Sequence, residues 1–95
     1  MIRVAVVGAT GRMGREALRA LTPERGFSVV AVSRTAGVAA EGHVTTDDLV
    51  AALADADVLL ELGHRETAAA NALLALERRV SPVIGTTGLA DADVA

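Results

Sequence analysis

Gly8, Gly11 and Gly14 stand three residues apart, directly behind an unbroken apolar run, Val4-Ala5-Val6-Val7, and at the head of a helically spaced set, Met13, Ala17, Leu18 and Leu21. A glycine-rich turn between a strand and a helix directs backbone N–H groups and the positive helix end at one point, which makes a receptor for a phosphate or pyrophosphate. In that role Gly8 permits the tight turn, Gly11 lets an anion approach the backbone, and Gly14 lets helix and strand pack closely. Thr10, Arg12 and Met13 share the loop. The spacing alone would equally serve a close-packed strand-to-helix turn; a βαβ setting is what turns it toward dinucleotide binding. Of three arginines on one helical face, Arg12 at the helix entrance is the candidate phosphate contact, and Arg15 and Arg19 read as solvated surface.

About 20 residues beyond such glycines an NAD-selective site carries Asp or Glu for the ribose 2′-hydroxyl. Here stand Ser33, Arg34 and Thr35. A guanidinium between two hydroxyls suits a 2′-phosphate, because Arg offers planar, paired donors to phosphate oxygens. The expected cofactor is NADPH, with NADH possible; the competing reading is a solvated Arg after a strand. Leu62, Gly63 and the run Gly85-Thr86-Thr87-Gly88 are further loop candidates. Glu61 closes a buried strand, either as a site carboxylate or as an acceptor for loop amides. His64 reads as a loop or capping histidine, and His43 has still less context. No ligand spacing suggests a metal.

The elements that must hold these residues follow from the patterning. Val4–Val7 and Phe27–Val32 are apolar without polar alternation, as parallel strands covered on both faces require. With the helix between them, stopped by Thr22-Pro23 and Gly26, they form a βαβ unit. Residues 35–42 read as loop, followed by a short edge strand around His43-Val44. Thr45 and Asp48 resemble a capping box opening a helix near 46–54, with Leu49, Val50 and Leu53 as its apolar face. Val58-Leu59-Leu60 is another buried run, Arg65 to Arg79 a strong helix with a stripe of Ala69, Ala72, Leu73 and Leu76, and Val83-Ile84 a last strand. The alternation predicts an α/β, Rossmann-like, doubly wound parallel sheet of about four to five strands in a single domain over 1–95, strand order 3-2-1-4-5. Ligands of such sheets sit beyond the carboxyl ends of the strands, and those segments hold most of the Gly and Thr. Leu89 to Ala95 looks like the first turns of a further helix, so the chain reads as a fragment.

Composition narrows the function classes. Ninety-five residues with 52% apolar and 22% charged content suit one folded domain. A net charge of −3 disfavours general nucleic-acid or anionic-membrane binding. All nine cations are Arg, and neither Lys nor Cys occurs, so Schiff bases, lysine acids, disulfides and thiolate chemistry are excluded for these residues. The apolar start ends at Gly8, far short of the ~20 residues that span a bilayer, and a cytoplasmic setting is expected.

Val4 through Arg15, together with Val83-Ile84-Gly85-Thr86-Thr87-Gly88-Leu89, resembles the amino-terminal domain of the dihydrodipicolinate reductases of bacterial lysine and diaminopimelate biosynthesis. Asp57 to His64 is similar to that family's strand ending in Asp-Phe-Thr and then His or Arg, although Glu61, Leu62 and Gly63 replace the triplet and Arg65 stands where Pro is usual. The resemblance implies an NAD(P)H-dependent oxidoreductase that reduces a cyclic 4-hydroxy-tetrahydrodipicolinate. It implies that Gly8, Gly11, Arg12, Met13 and Gly14 form the pyrophosphate loop and that Ser33 to Thr35 meet the adenosine ribose. Leu62 and Gly63 would face the nicotinamide, with Gly85, Thr86 and Thr87 beside nicotinamide and substrate. Members often accept both NADH and NADPH. The family's substrate-binding and tetramer-forming domain, with its His-His and Lys motif, has no counterpart here, so cofactor binding without turnover is expected and no catalytic residue is assigned. Two other readings stay open: the nucleotide domain of another NAD(P)-dependent dehydrogenase, and a non-catalytic NADPH-binding module.

Overall fold

The computed structural model describes residues 1–85. Four strands, β1 (Ile2–Val7), β2 (Phe27–Val32), β5 (Val58–Glu61) and β6 (Ser81–Ile84), form one sheet in the order β2-β1-β5-β6, parallel throughout. Helix α1 (Arg12–Ala20) covers one face, while α2 (Leu49–Ala54) and α3 (Arg65–Glu77) cover the other. The continuous apolar character of β1 follows from this: Val4 and Val6 pack with Leu18 of α1, and Ala5 packs with Leu53 and Ala75 on the opposite side. The chain runs from β1 outward to β2 and then returns to the other side of β1, so the order reverses beside the glycine turn. That is the doubly wound arrangement the patterning predicts.

The edge strand departs from expectation. Residues 39–40 (β3) and 43–44 (β4) pair antiparallel with each other and not with the sheet. Glu41 and Gly42 both take positive φ, 48° and 84°, and a two-residue turn of that kind closes a hairpin. Only Thr46 reaches the sheet edge, through a parallel bridge to Val32. Segment 35–42 is therefore part hairpin, and the sheet has four strands, with the place of the expected third strand reduced to one bridge.

Two helix faces are also corrected. Asp48, not Thr45, caps α2, its Oδ1 accepting from the Ala51 amide at 3.0 Å. Thr45 is buried and serves the loop: its hydroxyl donates to the Thr35 carbonyl at 2.9 Å and accepts from the Val38 amide at 3.0 Å. On α2, Ala52 and Leu53 face inward and Val50 is exposed. On α3 the buried side is Ala68, Ala72 and Ala75, leaving Leu73 and Leu76 61% and 58% exposed and Ala69 outside. Alanines let the helix lie close to the sheet, and a helix apolar on nearly every side gives periodicity no contrast to read. Helix α3 ends at Glu77, two residues before the expected Arg79. The expected helix from Leu89 lies outside the described residues.

Candidate cofactor site

All the carboxyl ends of the sheet open on one rim, where a cleft of about 790 Å³ runs from the end of β2, past the turn after β1, to the end of β5. The glycines account for its middle. Gly8 has φ +81°, and a Cβ there would stand 2.6 Å from the Leu62 carbonyl oxygen and 2.7 Å from the Gly63 nitrogen. A Cβ on Gly14 would overlap the Gly8 carbonyl itself, so α1 can approach β1 only through glycine. At Gly11 a Cβ would meet only the Gly8 carbonyl oxygen, at 3.4 Å, so this position has room on its outer side. Among the described residues no side chain caps α1, whose N-cap is Gly11, and its first turn holds no acid. The positive helix end is thus left to an incoming anion.

Eight of the candidate cofactor residues line this cleft: Gly8, Thr10, Gly11, Ser33, Arg34, Thr35, Leu62 and Gly63. Arg12, Met13 and Gly14 do not line it. Arg12 and Met13 are exposed at the start of α1, and Gly14 is buried against the turn. Gly85 follows β6 beyond the cleft wall, its amide donating to the Glu61 carbonyl at 3.0 Å, and a Cβ on it would stand 3.1 Å from Leu62 Cδ2 and 3.9 Å from Met13 Cε. Thr86 and Thr87 lie outside the described residues.

At the β2 end Arg34 is exposed and makes no ion pair among the described residues. The loop under it is braced: Ser33 Oγ accepts from the Thr35 amide at 3.2 Å, and the Ser33 amide donates to the Thr46 carbonyl at 2.9 Å. By contrast Arg15 and Arg19, on the solvated surface as expected, are engaged there in ion pairs. Arg15 Nε donates to the Thr10 carbonyl at 3.1 Å, and both guanidiniums reach Glu41 at the hairpin tip, at 3.8 and 3.5 Å. Arg19 also pairs with Glu16. The hairpin is thereby tied to α1, and Arg15 steadies the glycine turn.

Of the ambiguous residues, Glu61 is fully buried and bonds loop and helix, accepting from the Gly63 amide at 2.9 Å and from Asn71 Nδ2 at 2.7 Å. It does not line the cleft. His64 occupies the N-cap position of α3 without capping it by its side chain; it lies on the cleft wall with Nδ1 4.0 Å from Glu66. His43 belongs to the hairpin, away from the cleft. Sequence reasoning missed Asp47, Thr67 and Asn71, which also line it. The last two had a signal, since positions four apart in the first turns of a helix face the same side. Asp47 had none, because the bridge that carries it to the β2 end is a single pair.

A family model described as "Dihydrodipicolinate reductase, N-terminus" matches residues 2–95. The 4-hydroxy-tetrahydrodipicolinate reductase of Moorella thermoacetica is 42% identical over 100 residues, covering 93% of this chain and 38% of the relative. That of Archaeoglobus fulgidus is 40% identical over 100 residues, covering 97% and 38%. Among solved structures, a UDP-N-acetylglucosamine 3-dehydrogenase from Acidithiobacillus ferrooxidans superposes with a TM-score of 0.72 at 22% identity, over 87% of this chain and 29% of that one. The aspartate semialdehyde dehydrogenase II of Vibrio cholerae gives 0.66 at 23% identity, over 92% and 32%. Both share the fold.

Proposed function

This chain belongs to the dihydrodipicolinate reductase family, whose amino-terminal domain it matches, and from that membership we propose that its cleft binds NAD(P)H, with NADPH preferred. The observation that carries the reading is the cleft itself: a glycine cradle at the positive end of α1, an Arg34 with no ion pair among the described residues at the β2 end, and the Leu62–Gly63 turn at the β5 end lie along one line across the strand ends. A dinucleotide laid along it would have its adenosine ribose at Ser33, Arg34 and Thr35, its pyrophosphate at Gly8, Thr10 and Gly11, with Arg12 and Met13 at the adjoining helix entrance and Gly14 packed beneath the turn, and its nicotinamide beside Leu62 and Gly63. Gly85, Thr86 and Thr87 would complete the nicotinamide side. Asp47, which lines the same cleft as Arg34, offers a carboxylate of the kind that suits the 2′-hydroxyl of NADH and supports acceptance of both cofactors.

When bound, the cofactor supplies a hydride. The chain's own part would be to hold it: backbone amides of the glycine turn would donate to the pyrophosphate, Arg34 would pair with the 2′-phosphate, and Leu62 and Gly63 would lie on the nicotinamide side. The chain spans about 38% of the length of the curated relatives it matches. We propose that the whole protein is a cytoplasmic, homotetrameric 4-hydroxy-tetrahydrodipicolinate reductase, and that residues outside 1–95 bind substrate and supply the proton. Lys is absent here, and the two histidines, His43 and His64, are not paired in sequence.

Two measurements test this. Exchanging Arg34→Asp should weaken NADPH at least tenfold and reverse the preference toward NADH, since a charge-assisted hydrogen bond to phosphate contributes about 1.5–3 kcal/mol; unchanged selectivity would refute the ribose assignment. The 95-residue chain should bind cofactor without reducing substrate, so steady-state reductase activity in it would overturn the division of labour.

A further inference from the structure

Glu61 is a carboxylate with no solvent exposure, placed at the last residue of β5, and the cofactor reading gives it nothing to do. Burying a carboxylate where a leucine would fill the same volume costs desolvation that packing alone does not return. Its two oxygens point to two different elements. Oε1 accepts from the Gly63 amide at 2.9 Å, and Oε2 accepts from Asn71 Nδ2, two turns into α3, at 2.7 Å. A Cβ on Gly63 would approach Oε1 to 2.9 Å and Val7 Cγ1 to 3.4 Å, so the carboxylate lies directly beneath the Gly63 peptide and beside the end of β1. Above it, the Leu62–Gly63 peptide is packed against Gly8 so closely that Gly8 cannot bear a side chain. Leu62 is further fixed by its amide, which donates to the Val7 carbonyl at 2.9 Å.

We propose that Glu61 is a positioning residue for the nicotinamide end of the cleft, setting the height and orientation of the Leu62–Gly63 turn against Gly8 by anchoring it to α3 through Asn71. The proposal rests on the reading of the cleft as a dinucleotide site. Glu61 does not itself line the cleft; it acts through the Gly63 amide. Its consequence is local to one end. Ser33 to Thr35 at the β2 end are braced separately, by Thr45 and Thr46, and share no hydrogen bond with Glu61. Removal of the carboxylate should therefore weaken a ligand that reaches across to the β5 end and spare one that stops at the adenosine side.

The test is a titration of the full 95-residue chain with two ligands, NADPH and adenosine 2′,5′-bisphosphate, which lacks the nicotinamide half. In Glu61→Leu the expected result is about a tenfold loss of NADPH affinity, the size of one charge-assisted hydrogen bond, with adenosine 2′,5′-bisphosphate affinity within about twofold of the unaltered chain. Asn71→Ala removes the helix anchor together with a side chain of the cleft wall and should shift the same ratio by a smaller factor; recovery of the ratio in Glu61→Gln, which leaves Asn71 in place, separates the anchor from that wall contact and decides the matter should Glu61→Leu fail to fold. Glu61→Gln keeps an acceptor for Gly63 and, with the Asn71 amide turned over, a partner for Asn71, so it should restore most of the ratio. Equal losses for both ligands, or no loss for either, in the altered chains would overturn the positioning role and leave the cofactor reading intact. Failure of the unaltered chain to bind either ligand would overturn both together.

Discussion

Gly14 illustrates how much a single position can decide here. A Cβ there would run into the Gly8 carbonyl and Ala9 Cα of the turn after β1, and no rotamer can relieve a Cβ that meets backbone. Gly14→Ala should cost about 1–3 kcal/mol or more by overpacking and should abolish dinucleotide binding, because α1 must retreat from the turn whose amides it presents. Chemical denaturation with a parallel cofactor titration would check both. Such residues were legible in the sequence because a backbone that tolerates only glycine leaves a visible signature. The place of Arg34 on the cleft was legible too, from its position directly after β2. Glu61 was legible only as a choice between a site carboxylate and an acceptor for loop amides, and its hydrogen bonds to Gly63 and Asn71 favour the second.

The short helix α2 depends on its cap. Six residues are too few to be stable on their own, and Asp48 Oδ1 supplies the partner for an otherwise unpaired amide. Asp48→Ala should destabilise the chain by about 1 kcal/mol, readable as a lower denaturation midpoint at unchanged slope. At the rim opposite the cleft, Asp57 joins β1 to the start of β5. The Arg3 amide donates to its carboxylate at 2.9 Å and the Arg3 guanidinium lies 3.3 Å away. These hydrogen bonds hold the Asp57 carboxyl below its ordinary value, the backbone one foremost. A carboxyl depressed in the folded state stabilises above its unfolded value and loses that contribution as pH falls through the folded one. Asp57→Asn should therefore lower Tm at neutral pH, with the difference closing in the acid range; a difference independent of pH would contradict it. The matching rise at Arg3, from its side-chain hydrogen bond with Asp57, opens no further window because the guanidinium stays charged. Strands and helices were legible at this scale from their apolar runs. The inward faces of α2 and α3 were not, because alanine carries too little contrast, and the hairpin was hidden because Glu41, not glycine or asparagine, takes the first left-handed position of its turn.

Taken whole, the molecule separates its two rims. The amino-terminal ends of the strands are closed by short turns and the Arg3–Asp57 pair, while the carboxyl ends carry the glycine cradle, the Arg34 loop and the turn held by Glu61. No helix among the described residues is long and apolar enough to cross a membrane. The parallel order and the reversal beside β1 were legible, since buried strands alternating with helices admit few other topologies. The count of four falls within the expected four to five, but the third strand of the expected order is missing, because the hairpin diverts the segment that would have extended the sheet. The central claim is that this rim receives a nicotinamide dinucleotide, and calorimetric titration of the unaltered chain with NADPH and with NADH, at one fixed low ionic strength because a phosphate site is screened by salt, tests it most directly. The account predicts one site per chain with NADPH the tighter ligand. Binding of neither would contradict it.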